Sequence, residues 1–167
     1  MLTPDWAIHL WRQRFRLPTM ALMGSEVVRE DRTRSALPTL QEPFVNLRVF
    51  VVDDLHDMRT LLIDVFESAG SFRVVGTAAS EGEAKAWLDA HPAHWDVAVV
   101  DLVLSGGSGF GVVGRARETH ADGCVAVLSS FVSDAVEKHC LKLGADVVFN
   151  KVRTSEFLGW VRRVAGT

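Results

Sequence analysis

The sequence predicts an α/β fold in which a five-stranded parallel sheet is covered by helices on both faces. Five short apolar runs alternate with five stretches in which apolar residues recur at helical spacing. The apolar runs are unbroken and rich in valine, which is typical of strands that are buried on both faces. The connections are only a few residues long, which favours parallel strands joined by right-handed crossovers. Together these observations predict a doubly wound (βα)5 domain.

The predicted elements begin at residue 46 and follow one another in strict order. The predicted strands are 46–54, 72–78, 95–104, 124–130 and 145–151. The predicted helices are 57–70, the segment from a cap at Ser80 to about His91, the segment from the glycine-rich loop 105–109 to about His120, the segment from a cap at Ser133 to about Leu143, and Thr154–Val164. Serine is a favoured N-cap, and glycine or proline close behind a helix marks its end. This order is that of a flavodoxin-like fold.

Residues 1–44 are predicted to be an arm outside the domain, which covers residues 45–167. Three prolines and the lack of a strand pattern predict an irregular or disordered segment over 18–44. Residues 3–17 fit a short helix whose apolar side chains lie roughly on one side, at Trp6, Leu10, Trp11 and Phe15. Such a helix either docks on a partner or an anionic surface, or the arm is dispensable, and the sequence leaves both interpretations open.

Composition and charge exclude several classes of protein. The net charge is −3, which does not predict direct binding to nucleic acid. The two cysteines, Cys124 and Cys140, are too few for a disulfide scaffold or a cysteine-rich zinc site. No apolar run is long enough to span a bilayer, and charged residues interrupt the N-terminus where a secretory signal needs an apolar stretch. A cytoplasmic protein is therefore expected.

Charged and hydroxyl side chains stand where the predicted strands end. Asp53 and Asp54 follow the first strand, Asp101 the third, Ser129 the fourth and Lys151 the fifth. Because ligands of open parallel sheets bind at the carboxyl ends of the strands, these side chains are expected to converge. Carboxylates held close together repel each other unless a cation joins them, and an all-oxygen ligand set suits Mg²⁺. Such a site suits phosphoryl chemistry, with one carboxylate as the acceptor of an acyl phosphate.

The order of these residues resembles the receiver domain of two-component response regulators, a CheY-like fold, over about residues 47–166. The resemblance implies that Asp101 is the phosphoacceptor and that Asp53 and Asp54 form the acidic pair that binds the metal. It also implies that Mg²⁺ is the cofactor, with Asp101 itself and the backbone carbonyl of Val103 as further ligands.

Other positions either match this family or depart from it. Ser129 and Lys151 match the hydroxyl and the lysine that contact the phosphoryl group. The family usually has an aromatic switch residue three positions before the lysine, but this position is Val148, and the neighbouring Phe149 is expected to pack in the core. Val152 replaces the proline that often follows the lysine, so a trans peptide bond is expected there.

The resemblance implies a role in phosphorelay signalling. Asp101 would take a phosphoryl group from a phosphohistidine on a sensor histidine kinase or a histidine phosphotransfer protein. The sequence ends soon after the last predicted helix, so a stand-alone receiver is expected, which acts on an effector protein through the face Ser133–Val164 and not on nucleic acid. Apart from its own phosphorylation and dephosphorylation, no enzyme activity is expected. Whether the chain forms a homodimer is left open.

Two other functions remain open from the sequence. The first is a phosphorylation-independent binding or adaptor module, which Val148 at the switch position favours. The second is a nucleotide-dependent enzyme, because residues 109–114 read GFGVVG and fit a dinucleotide-binding pattern that follows a strand. This pattern lies in the third unit instead of the first, and the next strand ends in serines where a ribose-binding acid is expected. The preceding glycine-rich loop, 105–109, is expected to be flexible.

Overall fold

The computed structural model describes residues 46–165, in which strands and helices alternate as predicted. The strands are β1 (Leu47–Val52), β2 (Phe72–Ala78), β3 (Val97–Val100), β4 (Cys124–Ser129) and β5 (Val147–Asn150). The helices are α1 (His56–Ser68), α2 (Glu81–Ala90), α3 (Gly109–Thr119), α4 (Asp134–Leu143) and α5 (Thr154–Ala165). The predicted arm, residues 1–44, lies outside the described residues.

The five strands form one sheet in the order β2-β1-β3-β4-β5. All four neighbouring pairs are parallel. From β1 the chain passes to β2, the outer strand on one side. It then crosses back to β3 and continues through β4 to β5, the outer strand on the other side, so helices cover both faces. This topology confirms the predicted doubly wound fold. The strand order reverses between β1 and β3, which is the position where open α/β sheets bind their ligands.

Alternate side chains of the strands supply two separate cores, as β1 illustrates. Val49 and Val51 belong to the core that α1 and α5 cover, together with Phe66. Phe50 and Val52 belong to the core on the opposite face, which α2, α3 and α4 cover. Successive strand residues point to opposite faces, so a strand buried on both sides must be apolar throughout. This explains the unbroken valine runs of the sequence.

Two helix starts and one helix end lie where the sequence predicts them. The hydroxyl oxygens of Ser80 and Ser133 accept hydrogen bonds from the N–H groups of Glu83 and Val136, both at 3.3 Å. Each bond satisfies one of the amides that a helix leaves unpaired at its first turn. Gly144 ends α4 in the left-handed conformation, with φ of 110°.

The strands end earlier than predicted at the edge where the acidic residues follow them. The third strand, predicted over 95–104, spans only Val97–Val100. The chain folds back after Asp101, because the N–H of Gly109 donates to the carbonyl of Leu102 at 3.0 Å. The described residues contain no cis peptide bond, so the bond before Val152 is trans as expected. None of the helices α1–α5 has the length and hydropathy that a membrane span requires.

Candidate functional site

The first two acidic residues lie at the end of β1, in the middle of the sheet. The N–H of Asp53 donates to the carbonyl of Ala78 at 3.2 Å, which continues the β1–β2 pairing and fixes the Asp53 backbone. The Asp53 side chain is buried, with only 1% of the residue exposed, and its Oδ1 accepts a hydrogen bond from the N–H of Leu55 at 3.0 Å. Asp54 is half-buried. The strand therefore delivers one buried and one partly accessible carboxylate.

The third acidic residue, Asp101, follows β3 directly beside the end of β1. Its N–H donates to the carbonyl of Val52 at 2.8 Å, and the residue is 6% exposed. Its Oδ1 accepts a hydrogen bond from the N–H of Val103 at 3.2 Å. One carboxylate oxygen from each of Asp53, Asp54 and Asp101 lies within 4.8 Å of the other two. The structure thus brings together the three acids that the sequence predicts to meet.

Lys151 reaches this cluster from the end of β5. Its Nζ lies 2.6 Å from Oδ2 of Asp53 and 2.6 Å from Oδ2 of Asp101, so one ammonium bridges two carboxylates. Burial by itself lowers the pKa of the Lys151 ammonium, but the hydrogen bonds and charges of Asp101 and Asp53 outweigh it and raise that pKa above its ordinary value. Lys151 is therefore a permanent cation at this site at neutral pH.

The charges in contact do not balance, which makes the site suitable for a divalent cation. Three carboxylates meet one ammonium, so two negative charges remain uncompensated among the contacting groups when all three acids are ionised. The available side-chain donors are carboxylate oxygens, and within residues 46–165 neither histidine nor cysteine joins this cluster. Mg²⁺ prefers oxygen ligands and usually binds through one or two carboxylates while it keeps several waters. The donor set, its spacing and its charge therefore fit Mg²⁺.

Ser129 and Val103 border the acidic cluster. Ser129 is fully buried at the end of β4, where its backbone carbonyl accepts the N–H of Lys151 at 2.9 Å. Its hydroxyl oxygen accepts a long hydrogen bond of 3.5 Å from the N–H of Phe131, which leaves the hydroxyl proton available to another acceptor. Val103 exposes its side chain, while its backbone N–H binds Asp101. Both residues lie at the edge of the sheet where they are predicted.

The glycine pattern 109–114 serves packing in this structure and does not form an open phosphate cradle. A side chain at Gly109 would collide with the backbone of Asp101, so glycine is needed for α3 to begin so close to the strand. The first N–H groups of α3 are already bonded within the protein: Gly109 donates to Leu102, and both Phe110 and Gly111 donate to Ser108. A dinucleotide site uses such amides to bind pyrophosphate, so this arrangement disfavours a nucleotide cofactor.

Sequence comparison identifies the family. The profile of the response regulator receiver domain matches residues 49–158, which is most of the described structure and includes every residue of the acidic cluster. The chain belongs to the response regulator receiver domain family. Phosphorelay signalling is the role that this family implies. Among curated protein sequences, none matches the chain significantly.

Solved receiver domains share the fold of this receiver. The response regulator domain of CheB from Thermotoga maritima is 25% identical, with 73% of this chain and 98% of that chain covered and a TM-score of 0.62. The chemotaxis protein CheY4 from Vibrio cholerae is 24% identical, with coverage of 71% and 98% and a TM-score of 0.62. The CheX–CheY–BeF₃–Mg complex from Borrelia burgdorferi is 21% identical, with coverage of 68% and 88% and a TM-score of 0.61.

The receiver departs from an aromatic switch at Val148, three positions before Lys151. Phe149 is buried and packs against Phe157 and Trp160, with ring centroids 5.6 Å away in each case. Its placement in the core agrees with the prediction. Val148 points to the opposite face and is only partly buried in the core that α4 covers. The aromatic side chain of this segment therefore lies in the α1–α5 layer, away from α4.

Three further residues support the site, although the sequence pattern did not single them out. Arg59 of α1 donates from Nη1 to the backbone carbonyl of Asp53 at 2.6 Å. The side chain of Asn150 accepts the N–H of Val152 at 2.9 Å, which shapes the turn after Lys151. Glu81 of α2 binds the loop that follows Asp101. The Glu81 contact depends on how separate segments pack, and no local sequence signal reports it, whereas the Asn150 contact is a local turn between residues two apart.

Proposed function

We propose that this receiver accepts a phosphoryl group on Asp101 from a phosphohistidine, with Mg²⁺ held by Asp53, Asp54, Asp101 and the backbone carbonyl of Val103. The donor would be a sensor histidine kinase or a histidine phosphotransfer protein in the cytoplasm. The observation that carries the proposal is a cluster of three carboxylates, two of which are bridged by one lysine. A merely structural site would balance its charges, and this one keeps an excess of negative charge.

The transfer is a single in-line displacement at phosphorus. A carboxylate oxygen of Asp101 attacks the phosphorus, a P–O bond forms, and the P–N bond to the donor imidazole breaks. The released imidazole nitrogen keeps the bonding electron pair and takes a proton, which regenerates a neutral histidine. When bound, Mg²⁺ would supply positive charge that neutralises the phosphoryl oxygens and the acidic pair. In the product, an acyl phosphate on Asp101 replaces the free carboxylate.

The remaining groups have roles that follow from their positions. The ammonium of Lys151 already binds Oδ2 of Asp101 at 2.6 Å, so it is placed to pair with a phosphoryl oxygen attached there. The buried hydroxyl of Ser129 has its proton available for a second phosphoryl oxygen. The domain acts as a phosphoacceptor, and output would pass to an effector protein through the face formed by α4, β5 and α5, about Ser133–Val164.

A test of this function is the mass of the intact protein after incubation with acetyl phosphate and Mg²⁺. The wild type is expected to gain about 80 Da, which is one phosphoryl group. The gain should be absent in Asp101→Asn and in the presence of EDTA. Asp64→Asn is a matched control, because it removes an exposed carboxylate of α1 and should leave the gain unchanged. A mass gain that persists in Asp101→Asn would refute Asp101 as the acceptor.

A second candidate function is a binding module that works without phosphorylation. It is favoured by the absence of an aromatic residue at position 148 and by the buried position of Phe149. This function predicts that the wild type gains no phosphoryl mass with acetyl phosphate or a phosphohistidine donor. It also predicts that partner binding is equal for the wild type and Asp101→Asn.

The lifetime of the acyl phosphate is expected to be long. Val103 and Phe131 both expose their side chains, Phe131 with 70% of its surface accessible, and their N–H groups bind Asp101 and Ser129 respectively. Apolar side chains give no hydrogen bond that would orient an attacking water. Val103→Asn and Phe131→Glu should therefore change the dephosphorylation rate, measured as loss of the phosphoryl mass over time after the donor is removed. Unchanged rates in both variants would contradict this expectation.

A further inference from the structure

The loop after the proposed phosphoacceptor closes on itself at its base. This acceptor loop, residues 102–108, runs from β3 to α3. Val103 and Ser108 face each other across it as an isolated antiparallel bridge. The N–H of Gly109 donates to the carbonyl of Leu102 at 3.0 Å, next to this bridge. The position of Ser108 and the position of Val103 are thereby tied to each other.

The outer side of the acceptor loop is bound by the first residue of α2, Glu81. Its Oε2 accepts the N–H of Ser108 at 2.8 Å. Its own backbone N–H donates to the carbonyl of Gly106 at 2.9 Å. Two hydrogen bonds from one residue therefore join α2 to the loop, and one of them uses a carboxylate, which makes a stronger acceptor than a neutral group.

The Glu81 carboxylate is itself held in place. Nζ of Lys85, one helical turn further along α2, lies 2.6 Å from Oε1. The two oxygens thus have separate partners, Lys85 on one side and the loop on the other. The hydrogen bonds from Lys85 and from the N–H of Ser108 lower the pKa of the Glu81 carboxyl.

The acceptor loop and α3 leave room for Glu81 only because two of their residues are glycines. A Cβ atom at Gly107 or at Gly111 would collide with the Glu81 side chain. Gly107 also has φ of 106°, a conformation that residues with a side chain rarely adopt. The glycine-rich loop, expected to be flexible, is therefore shaped around one carboxylate.

We propose that Glu81 is a positioning residue for the metal site. By fixing Ser108 it fixes Val103 across the antiparallel bridge, and with it the backbone carbonyl that is the proposed ligand of Mg²⁺. The inference rests on the proposed function, because it assigns Val103 to the metal. The loop would be held ready before the ion arrives, so the ion would not have to order it. Supporting contacts of this kind typically change metal affinity by about 10-fold or more when they are removed.

The test compares Glu81→Ala, Glu81→Gln and Glu83→Ala. Glu83 is the matched control, since its carboxylate accepts the N–H of Ala79 at 2.8 Å at the same end of α2 but does not bind the loop. Hydrogen exchange of residues 102–109, measured in EDTA, should be faster in Glu81→Ala than in the wild type or Glu83→Ala. Mg²⁺ affinity, measured by calorimetric titration, should fall about 10-fold in Glu81→Ala alone. Glu81→Gln keeps an oxygen for Ser108 and should retain most of the loop protection.

The readouts separate the possible outcomes. If Glu81→Ala and Glu83→Ala have equal loop exchange and equal Mg²⁺ affinity, the positioning role is wrong. Faster exchange in Glu81→Ala with an unchanged Mg²⁺ affinity would also overturn it, because the loop would then be independent of the metal. If the wild type binds no Mg²⁺ at all, the proposed function fails, and the positioning role fails with it. In that case the exchange data still report whether Glu81 holds the loop.

Discussion

The amino ends and the carboxyl ends of the strands, called here the amino edge and the carboxyl edge, carry the same kinds of charged residue but use them in opposite ways. At the amino edge, where the strands begin, Asp96 and Asp146 each bind an arginine and a backbone N–H. Oδ2 of Asp96 accepts from the N–H of Arg48 at 2.8 Å, and both of its oxygens bind the Arg48 guanidinium. At the carboxyl edge, where the strands end, three acids lie together and one lysine pairs with two of them. Carboxylates thus stabilise one edge and are held under mutual repulsion at the other.

Arg117 is a fully paired charged group at the amino edge. Its guanidinium makes five hydrogen bonds, to the carbonyls of Ala121, Gly123 and Gly144 and to the carboxylate of Asp146. These contacts join α3, the loop before β4, the end of α4 and the start of β5. A fully paired cation fixes architecture, while an under-compensated group of acids retains the capacity to bind a ligand. The contrast separates the stabilising edge from the functional edge.

The largest expected effect tests the stabilising edge. Arg117→Ala should lower the free energy of unfolding by about 3 kcal/mol, because it leaves several carbonyls and one carboxylate without their partner. Urea denaturation followed by circular dichroism measures it. Arg115→Ala is the control from the same helix, since among the described residues the Arg115 guanidinium binds only the exposed acids Asp89 and Glu118. A loss in Arg115→Ala as large as that in Arg117→Ala would break the comparison.

The next effect is a change in the free energy of unfolding that has opposite signs at the two edges. Asp96→Asn should destabilise the protein by about 1.5 kcal/mol, because it removes a charged partner of Arg48 and of a backbone N–H. Asp54→Asn should instead stabilise it by about 1 kcal/mol in EDTA, because it removes repulsion without breaking a contact to Lys151. Both are read from denaturation midpoints in the same buffer. Destabilisation by Asp54→Asn in EDTA would mean that the carboxyl edge is not under electrostatic strain.

The third effect concerns the ion itself. In the wild type, Mg²⁺ at ten times its dissociation constant should raise the free energy of unfolding by about 1.4 kcal/mol. The gain should be much smaller in Asp54→Asn and unchanged in Asp96→Asn, because only the first variant alters the metal cluster. Thermal unfolding across a range of Mg²⁺ concentrations gives the result. Equal gains in the two variants would place the ion away from the carboxyl edge.

The smallest expected effect is a pH dependence of the free energy of unfolding that arises at the amino edge. Burial lowers the pKa of His120, whose ring lies 5.1 Å from that of Trp95; the charges of Arg48 and Arg117 lower it further, and the charges of Asp122 and Asp96 oppose the shift without reversing it. The folded protein therefore binds this proton less readily than the unfolded chain. The contribution of His120 to the free energy of unfolding should be complete above about pH 6.5 and decline as the pH falls.

The pH slope of the free energy of unfolding between pH 7 and 5 measures this effect. The slope should become shallower in His120→Gln. An identical slope in the wild type and His120→Gln would show that His120 is not responsible.

Much of the fold and the acidic cluster follows from the sequence because local pattern and topology suffice there. Unbroken valine runs predict two-sided strands, and the rule that strands of a parallel sheet end at one edge predicts that Asp53, Asp101 and Lys151 converge. The end of β3 was misplaced, since the apolar residues Leu102 and Leu104 continue the run after Val100. They are buried in the loop, and apolarity alone does not distinguish a loop from a strand.

Contacts between segments that are far apart in the chain cannot be predicted from local pattern. Arg117 and Glu81 look like ordinary helix surface residues in the sequence, and their partners lie 27 residues away in the chain. Their roles depend on the distance between a helix end and a loop, which is set by the packing of whole layers. Gly107 and Gly111 are apparent in the sequence, but the reason why glycine is needed there becomes clear only when the structure places Glu81 beside them.

The bridging ammonium of Lys151 has a consequence for the protein when no metal ion is bound. It is a tethered counter-charge that never diffuses away, so the acids are partly neutralised in dilute or metal-poor solution as well. The two ion pairs of Lys151 thus give this end of the sheet a built-in counter-charge that does not depend on the solution around it.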